Sequence, residues 1–160
     1  MPSAINPQIR DARPGDEDAI AALLEPYVLK KIVLRRSPAE IRENLGQTIV
    51  YEENGRLLGT TSLVFFTDTL CEIRALVIAD ELQGKGVGRQ LVLAAEEKAM
   101  QHSAQRPLRF FALTYTPEFF ERCGYERTTK DKFPEKIYEV CNFCLRKDDC
   151  HEIAVQKTTN

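Results

Sequence analysis

A chain of 160 residues with 43% hydrophobic and 29% charged side chains fits one globular domain, large enough to bury a core without disulfide staples. Its net charge of −2 gives no general attraction to DNA or anionic membranes, so neither nucleic acid nor a membrane is the expected partner. Residues 1–10 carry no apolar run that could act as a signal peptide, and no stretch approaches the roughly 20 apolar residues that span a bilayer, so a cytoplasmic location is expected.

In chain order, residues 8–12 read as a short first strand. Pro14-Gly15-Asp16 breaks it and offers Asp16 as the cap of a helix over 19–24, which Pro26 ends or bends. The basic, β-branched connection 29–36 follows. Ser37-Pro38-Ala39-Glu40 is a helix start, with a capping serine, proline at the first helical position and a glutamate to close the capping box. That helix is expected to reach Leu45. Residues 47–53 form a strand, Asn54-Gly55 suits a type I′ turn, and 56–66 return antiparallel. Residues 70–79 make a third strand whose apolar end suits burial on both faces. Beyond a glycine-rich segment, Leu91, Val92, Ala95 and Ala99 mark one face of a helix to about Ser103. A strand at 107–114, a short helix from Pro117 to Phe120 and a strand at 125–128 close the pattern. Residues past Lys130 read as irregular, with a strand near 137–141. The expected fold class is α/β (α+β): one domain, 1–160, with a core at 8–128 and a cysteine-containing tail at 129–160. Its mixed sheet carries helices on both faces, and a right-handed crossover joins the third strand in parallel to 107–114.

The glycine segment carries the chemistry. A strand ending at Ile78-Ala79, then Gln83-Gly84-Lys85-Gly86-Val87-Gly88 and a helix, lets main-chain N–H groups and the helix dipole converge on an anion. A pyrophosphate is the natural guest. A ligand-free glycine turn is the plain alternative. A Walker loop is excluded because no Gly-Lys-Ser/Thr ends the segment, and the spacing fails the three-glycine dinucleotide fingerprint.

Gln83, Gly86 and Gly88 match the Gln/Arg-x-x-Gly-x-Gly/Ala signature, and on this the chain resembles the GNAT N-acetyltransferases. Residues 76–82 look like that family's strand and lead-in, and 117–125 like its later helix-to-strand motif. The resemblance covers most of 8–128. It implies a GNAT fold in which acetyl-CoA enters a splayed cleft between strands 70–79 and 108–114. Leu76, Val77 and Ile78 would pair with the pantetheine amides, and the Val77 N–H would face the thioester carbonyl as oxyanion donor. Gln83, Gly84, Lys85, Gly86, Val87, Gly88 and Arg89 would hold the pyrophosphate. Glu72 would act as base through water, with a structural pairing to Arg74 as its alternative. Relatives place a tyrosine where this chain has Phe120, so the proton for the leaving thiolate falls to Tyr115, Tyr138 or water.

A finer resemblance, in residues 31–37, Glu72-Ile73-Arg74 and 113–120, is to the short stand-alone N-acetylglutamate synthases. It implies a small amino-acid acceptor, most simply L-glutamate, and the entry step of arginine biosynthesis. Two carboxylates on such an acceptor need at least two cations. Arg74 comes first, then Lys31 and Arg36, with a solvated basic face as the alternative. No feedback arginine site is expected, because no amino-acid kinase domain precedes the chain. Cys141, Cys144 and Cys150 with His151 offer zinc-type ligands or remain plain thiols; Cys71 and Cys123 read as packed side chains. A homodimer is admissible but not legible. Two rivals stay open: acetylation of a protein amine or polyamine, and a non-catalytic acetyl-CoA sensor.

Overall fold

A computed structural model describes residues 8–139 and 151–160. The chain forms two compact units, Met1–Leu63 with Ile73–Ala99 and Val64–Glu72 with Met100–Asn160.

In the first unit β1 (Gln8–Asp11) pairs antiparallel with β2 (Thr48–Glu53), and β2 with β3 (Arg56–Thr67). Asn54 and Gly55 take φ values of 53° and 78°, the two positive values a type I′ turn demands. Helix α1 (Glu17–Leu29) runs further than the sequence suggests and keeps Pro26 inside it. Pro26 costs the helix one N–H donor to the Ala22 carbonyl. Both residues lie on the exposed side, where water replaces that donor and the helix continues. Asp16 holds the cap position, but its side chain makes no cap bond; it takes the Arg13 N–H at 2.8 Å and the Arg10 guanidinium instead. Ser37 does close the expected capping box with Glu40 ahead of α2 (Pro38–Glu43). That helix stops short of Leu45, which begins a 3-10 turn.

Ile20, Leu24 and Ile41 from these helices pack with Val50 of β2 and Val77 of β4 (Leu70–Ile78), each buried aliphatic contributing about 1.5–3 kcal/mol. Helix α3 (Val87–His102) buries Leu91, Val92 and Ala95. Gly59 marks the α3 side of the sheet: a Cβ there would meet Leu91 at 3.0 Å and Ile78 at 3.2 Å. Only glycine allows that approach.

In the second unit Leu70, Cys71 and Glu72 pair in parallel with Arg109, Phe110 and Phe111 of β5 (Leu108–Thr114), the crossover step the sequence implies. Helix α4 (Pro117–Arg122) and β6 (Glu126–Thr128) follow. The tail departs from expectation. Residues 137–139, expected in a strand, belong to helix α5 (Pro134–Glu139); 140 and 141 lie outside the described residues. Phe133 is the cause: 1% exposed and stacked 4.2 Å from Phe111, it pins the chain just before Pro134, a residue suited to open a helix. Strand β7 (Ile153–Thr159), unread in the sequence, pairs antiparallel with both β5 and β6. The strand order is β1-β2-β3-β4-β5-β7-β6 in one mixed sheet. Among the described residues no helix is long and apolar enough to cross a membrane.

Candidate active site

In the first unit β4 breaks its regular course at Ala75, whose φ is 55°. An alanine in left-handed backbone carries a cost of order 1–3 kcal/mol that the surroundings must offset. The Thr61 hydroxyl does part of this by donating to the Arg74 carbonyl at 3.0 Å. Such an irregularity re-aims main-chain donors on the residues that follow, here Leu76, Val77 and Ile78. Val77 turns its side chain into the α1–α2 core, leaving only its main chain for chemistry.

Beyond Ile78 the chain makes a 3-10 turn at Asp80–Leu82 and then the glycine segment. Gly84 and Gly86 have φ values of 80° and 85°, and a Cβ on either would meet nothing. The demand for glycine there is conformational. Gly88 differs, since it sits in the first turn of α3. In that turn the N–H groups of Val87, Gly88 and Arg89 have no carbonyl four residues back within the helix, and the dipole adds partial positive charge. The exposed side chains of Lys85 and Arg89 flank it. Seven of the expected diphosphate residues, 83–89, thus lie on one turn. The Gln83 side chain points elsewhere: its amide donates to the Tyr27 hydroxyl, the Ile78 carbonyl and Asp80 at 3.0, 3.1 and 3.2 Å.

The cations of 29–36 divide by role. Arg35 grips Glu25 through two 2.8 Å bonds, and Lys30 lies 5.5 Å over the Tyr27 ring. Lys31 is exposed with φ 61°. Arg36 lines a small pocket with Asn44, Thr48, Thr60, Ser62 and Ala75, and Ile20, Leu24 and Ile41 as its apolar side. Arg74, half-buried, is the residue next to Ala75. The pocket is polar where hydroxyls gather: Thr48 and Ser62 are 3.0 Å apart, and Thr60 donates to the Ile49 carbonyl at 3.0 Å.

In the second unit Glu72 is 2% exposed, and the Lys136 ammonium, itself 8% exposed, lies on its carboxylate. Phe133 sets this pair, because its stacking on Phe111 brings the first turn of α5 over β4. Tyr115 is 40% exposed at the end of β5. Phe120 is buried edge-on to Phe119 and Tyr125, a packed position with no proton to give. The Cys71 thiol is buried and pushed up to about 12, chiefly by burial, so it stays protonated and inert. Cys141, Cys144 and Cys150 lie outside the described residues, and among those described no three His, Cys, Asp or Glu side chains form a metal-holding group.

The acetyltransferase (GNAT) family model matches residues 16–125. The chain belongs to this family. It is an acetyl-CoA-dependent N-acetyltransferase, and its mixed sheet is the GNAT fold. An uncharacterized N-acetyltransferase of Chlorobaculum tepidum is 36% identical over 158 residues, 99% of each chain. An amino-acid acetyltransferase of Mycobacterium tuberculosis is 30% identical over 88% of this chain and 80% of its own. Among solved structures, the N-acetylglutamate synthase of Neisseria gonorrhoeae in complex with coenzyme A and N-acetyl-glutamate superposes with a TM-score of 0.81 at 25% identity, covering 99% of this chain. The chain spans 36% of the length of that synthase.

For this GNAT enzyme, sequence reasoning missed Lys136 and Tyr27. Nothing local marks Lys136, since lysine on a short polar helix is nearly always solvated. Tyr27 carried a faint signal as the one aromatic on α1, beside Pro26.

Proposed function

We propose that this acetyltransferase moves the acetyl group of acetyl-CoA to the α-amino group of a small amino acid, with L-glutamate as the favoured acceptor. The observation that carries the reading is the small pocket in which Arg36 joins Asn44, Thr48, Thr60 and Ser62 beside the left-handed Ala75. A guanidinium suits a carboxylate, and the second amide proton of Asn44 suits one of its remaining lone pairs, the Thr48 and Thr60 hydroxyls already donating to the Asn44 and Ile49 carbonyls. Arg74 and Lys31 are the further cations for the second carboxylate. The amino-acid acetyltransferase relative and the synthase fold support the same class.

In the reaction the neutral amine attacks the thioester carbon and the C–N bond forms. The Val77 N–H is assigned to the oxyanion. Glu72 takes the proton shed by the amine, through water, and Lys136 holds that carboxylate in place. Collapse breaks the C–S bond, and the thiolate takes a proton from water or Tyr115; a thiol of pKa about 8.5 leaves without strong acid help. If glutamate is the acceptor, the product is that of the entry step of arginine biosynthesis.

The test is thiol release from acetyl-CoA by the purified protein across a panel of amino acids, polyamines and peptides. Glutamate as the best acceptor supports the reading. Glutamine or aspartate would break the specificity and leave the class, an amine without a carboxylate would move the substrate class, and tight coenzyme A binding without turnover would favour a sensor.

A further inference from the structure

Tyr27 lies on α1, far in sequence from the glycine segment, yet its hydroxyl is 2.7 Å from the Ile78 carbonyl and 2.7 Å from Asp80 Oδ1. Gln83 Nε2 reaches the same two oxygens and the tyrosine oxygen. The proton count closes. One hydroxyl proton and two amide protons serve three acceptor oxygens, all inside the knot. Burial, with the Asp80 carboxylate second, pushes the Tyr27 phenol up to about 12, so it stays protonated.

The knot stands where β4 ends and the diphosphate turn begins. Past it the turn is held by short main-chain bonds of its own, Leu82 N–H to Ala79, Gln83 N–H to Asp80 and Lys85 N–H to Leu82, while the Ala79 N–H on the Leu58 carbonyl and an exposed Arg56–Glu81 ion pair tie it to β3. The side chains of Tyr27, Asp80 and Gln83 therefore set the angle at which the turn leaves the strand. The other end of Tyr27 is also employed: its carbonyl accepts the Ile32 N–H at 2.9 Å and the Val33 N–H at 3.4 Å. These residues lie in the connection that delivers Arg36 to the acceptor pocket.

We propose that Tyr27 is a positioning residue for coenzyme A, whose hydroxyl latches the Asp80–Gly86 turn in its diphosphate-accepting shape, and that Gln83 acts through this latch and not by touching phosphate. A turn already held needs no ordering on binding, so the latch acts on affinity and not on the chemical step. The inference rests on reading 84–89 as the diphosphate cradle and is independent of the acceptor.

The experiment measures coenzyme A affinity by calorimetry, the KM for acetyl-CoA against kcat, and thermal stability, for Tyr27→Phe, Gln83→Met and the double variant. Tyr27→Phe should weaken coenzyme A about tenfold, the worth of a charge-assisted hydrogen bond, and raise the acetyl-CoA KM in parallel with kcat kept within about twofold. Gln83→Met, on an exposed side chain that cannot unfold the protein, should do the same, and the double variant should add little beyond either single one. A lowered melting temperature with unchanged affinity would reduce Tyr27 to a structural residue and overturn the proposal. A fall in kcat at unchanged KM would overturn it too, as would fully additive losses. Failure of glutamate as acceptor leaves these binding measurements untouched, whereas an unaltered protein with no affinity for coenzyme A would sink the cradle reading itself.

Discussion

Arg36 stands half-buried against a pocket in the first compact unit, whereas Lys136 in the second is buried with its ammonium on Glu72. Arg36 lies on the connection before α2 and Lys136 within α5, and both are assigned to an anion. They differ in burial. A cation at the water's edge loses little solvation, so it can exchange one anion for another. A buried carboxylate cannot wait, because its desolvation must be offset within the fold itself. Permanent partners therefore belong in the core, and exchangeable ones at its edge.

The sharpest break in that comparison comes from Glu72→Gln. Glutamine keeps the shape and loses the basicity, so kcat should fall by about a hundred- to ten-thousandfold with KM for both substrates little changed, read in steady-state kinetics well below the melting temperature. Activity within threefold of normal would show that the pair is structural and that the base lies elsewhere. Lys136→Met should cost about 3–5 kcal/mol in denaturant unfolding, because it strands a buried carboxylate. Adding Glu72→Gln to it should return part of that loss, as expected of two groups that interact directly. A cost near that of an ordinary surface lysine would mean that the Glu72 carboxylate finds another partner within the fold.

Arg36→Met tests the other side. The KM for glutamate should rise about ten- to hundredfold, the range for one charge-assisted contact, with the melting temperature and the KM for acetyl-CoA nearly unchanged. An equal loss of stability would place Arg36 with Lys136, as a cation the fold needs.

Features legible in the sequence are those whose cause is local. Asn54-Gly55 announces its turn because two adjacent residues must hold positive φ, and Ser37-Pro38 with Glu40 announces a helix because all capping partners lie within four positions. Gly84 and Gly86 are readable for the same reason. Strand β7 is not, because its place between β5 and β6 depends on pairing Thr159 with Leu108 across some fifty residues, and seven residues of mixed β-branched character do not state their neighbours. Pro26 misleads in the opposite sense: a helix breaker by chemistry, it is tolerated because its unmade bond faces water. Within the candidate site the glycine turn is local and readable; the partner of Glu72 is not, since Phe133 stacking on Phe111 brings α5 over it.

The smallest effect concerns charges that neither unit offers to a substrate. Arg10 bonds Asp16 at 2.8 and 3.2 Å and Glu52 at 3.1 Å, with all three side chains largely shielded. The hydrogen bonds from Arg10 hold both carboxyls below their usual range. A carboxyl whose folded pKa is depressed adds stability that is fully present above its unfolded value, about 4, and is lost as pH falls through the folded one. Stability of the unaltered protein should therefore decline below about pH 5. Arg10→Met removes the cause, so it should cost about 1–2 kcal/mol at pH 7 and flatten the slope between about pH 5 and 3, measured by urea unfolding across that range. An unchanged acid slope would mean that the carboxyls governing acid stability lie elsewhere and that this cluster behaves as a solvated surface pair, leaving Glu72–Lys136 as the only one of the two networks whose charges are locked.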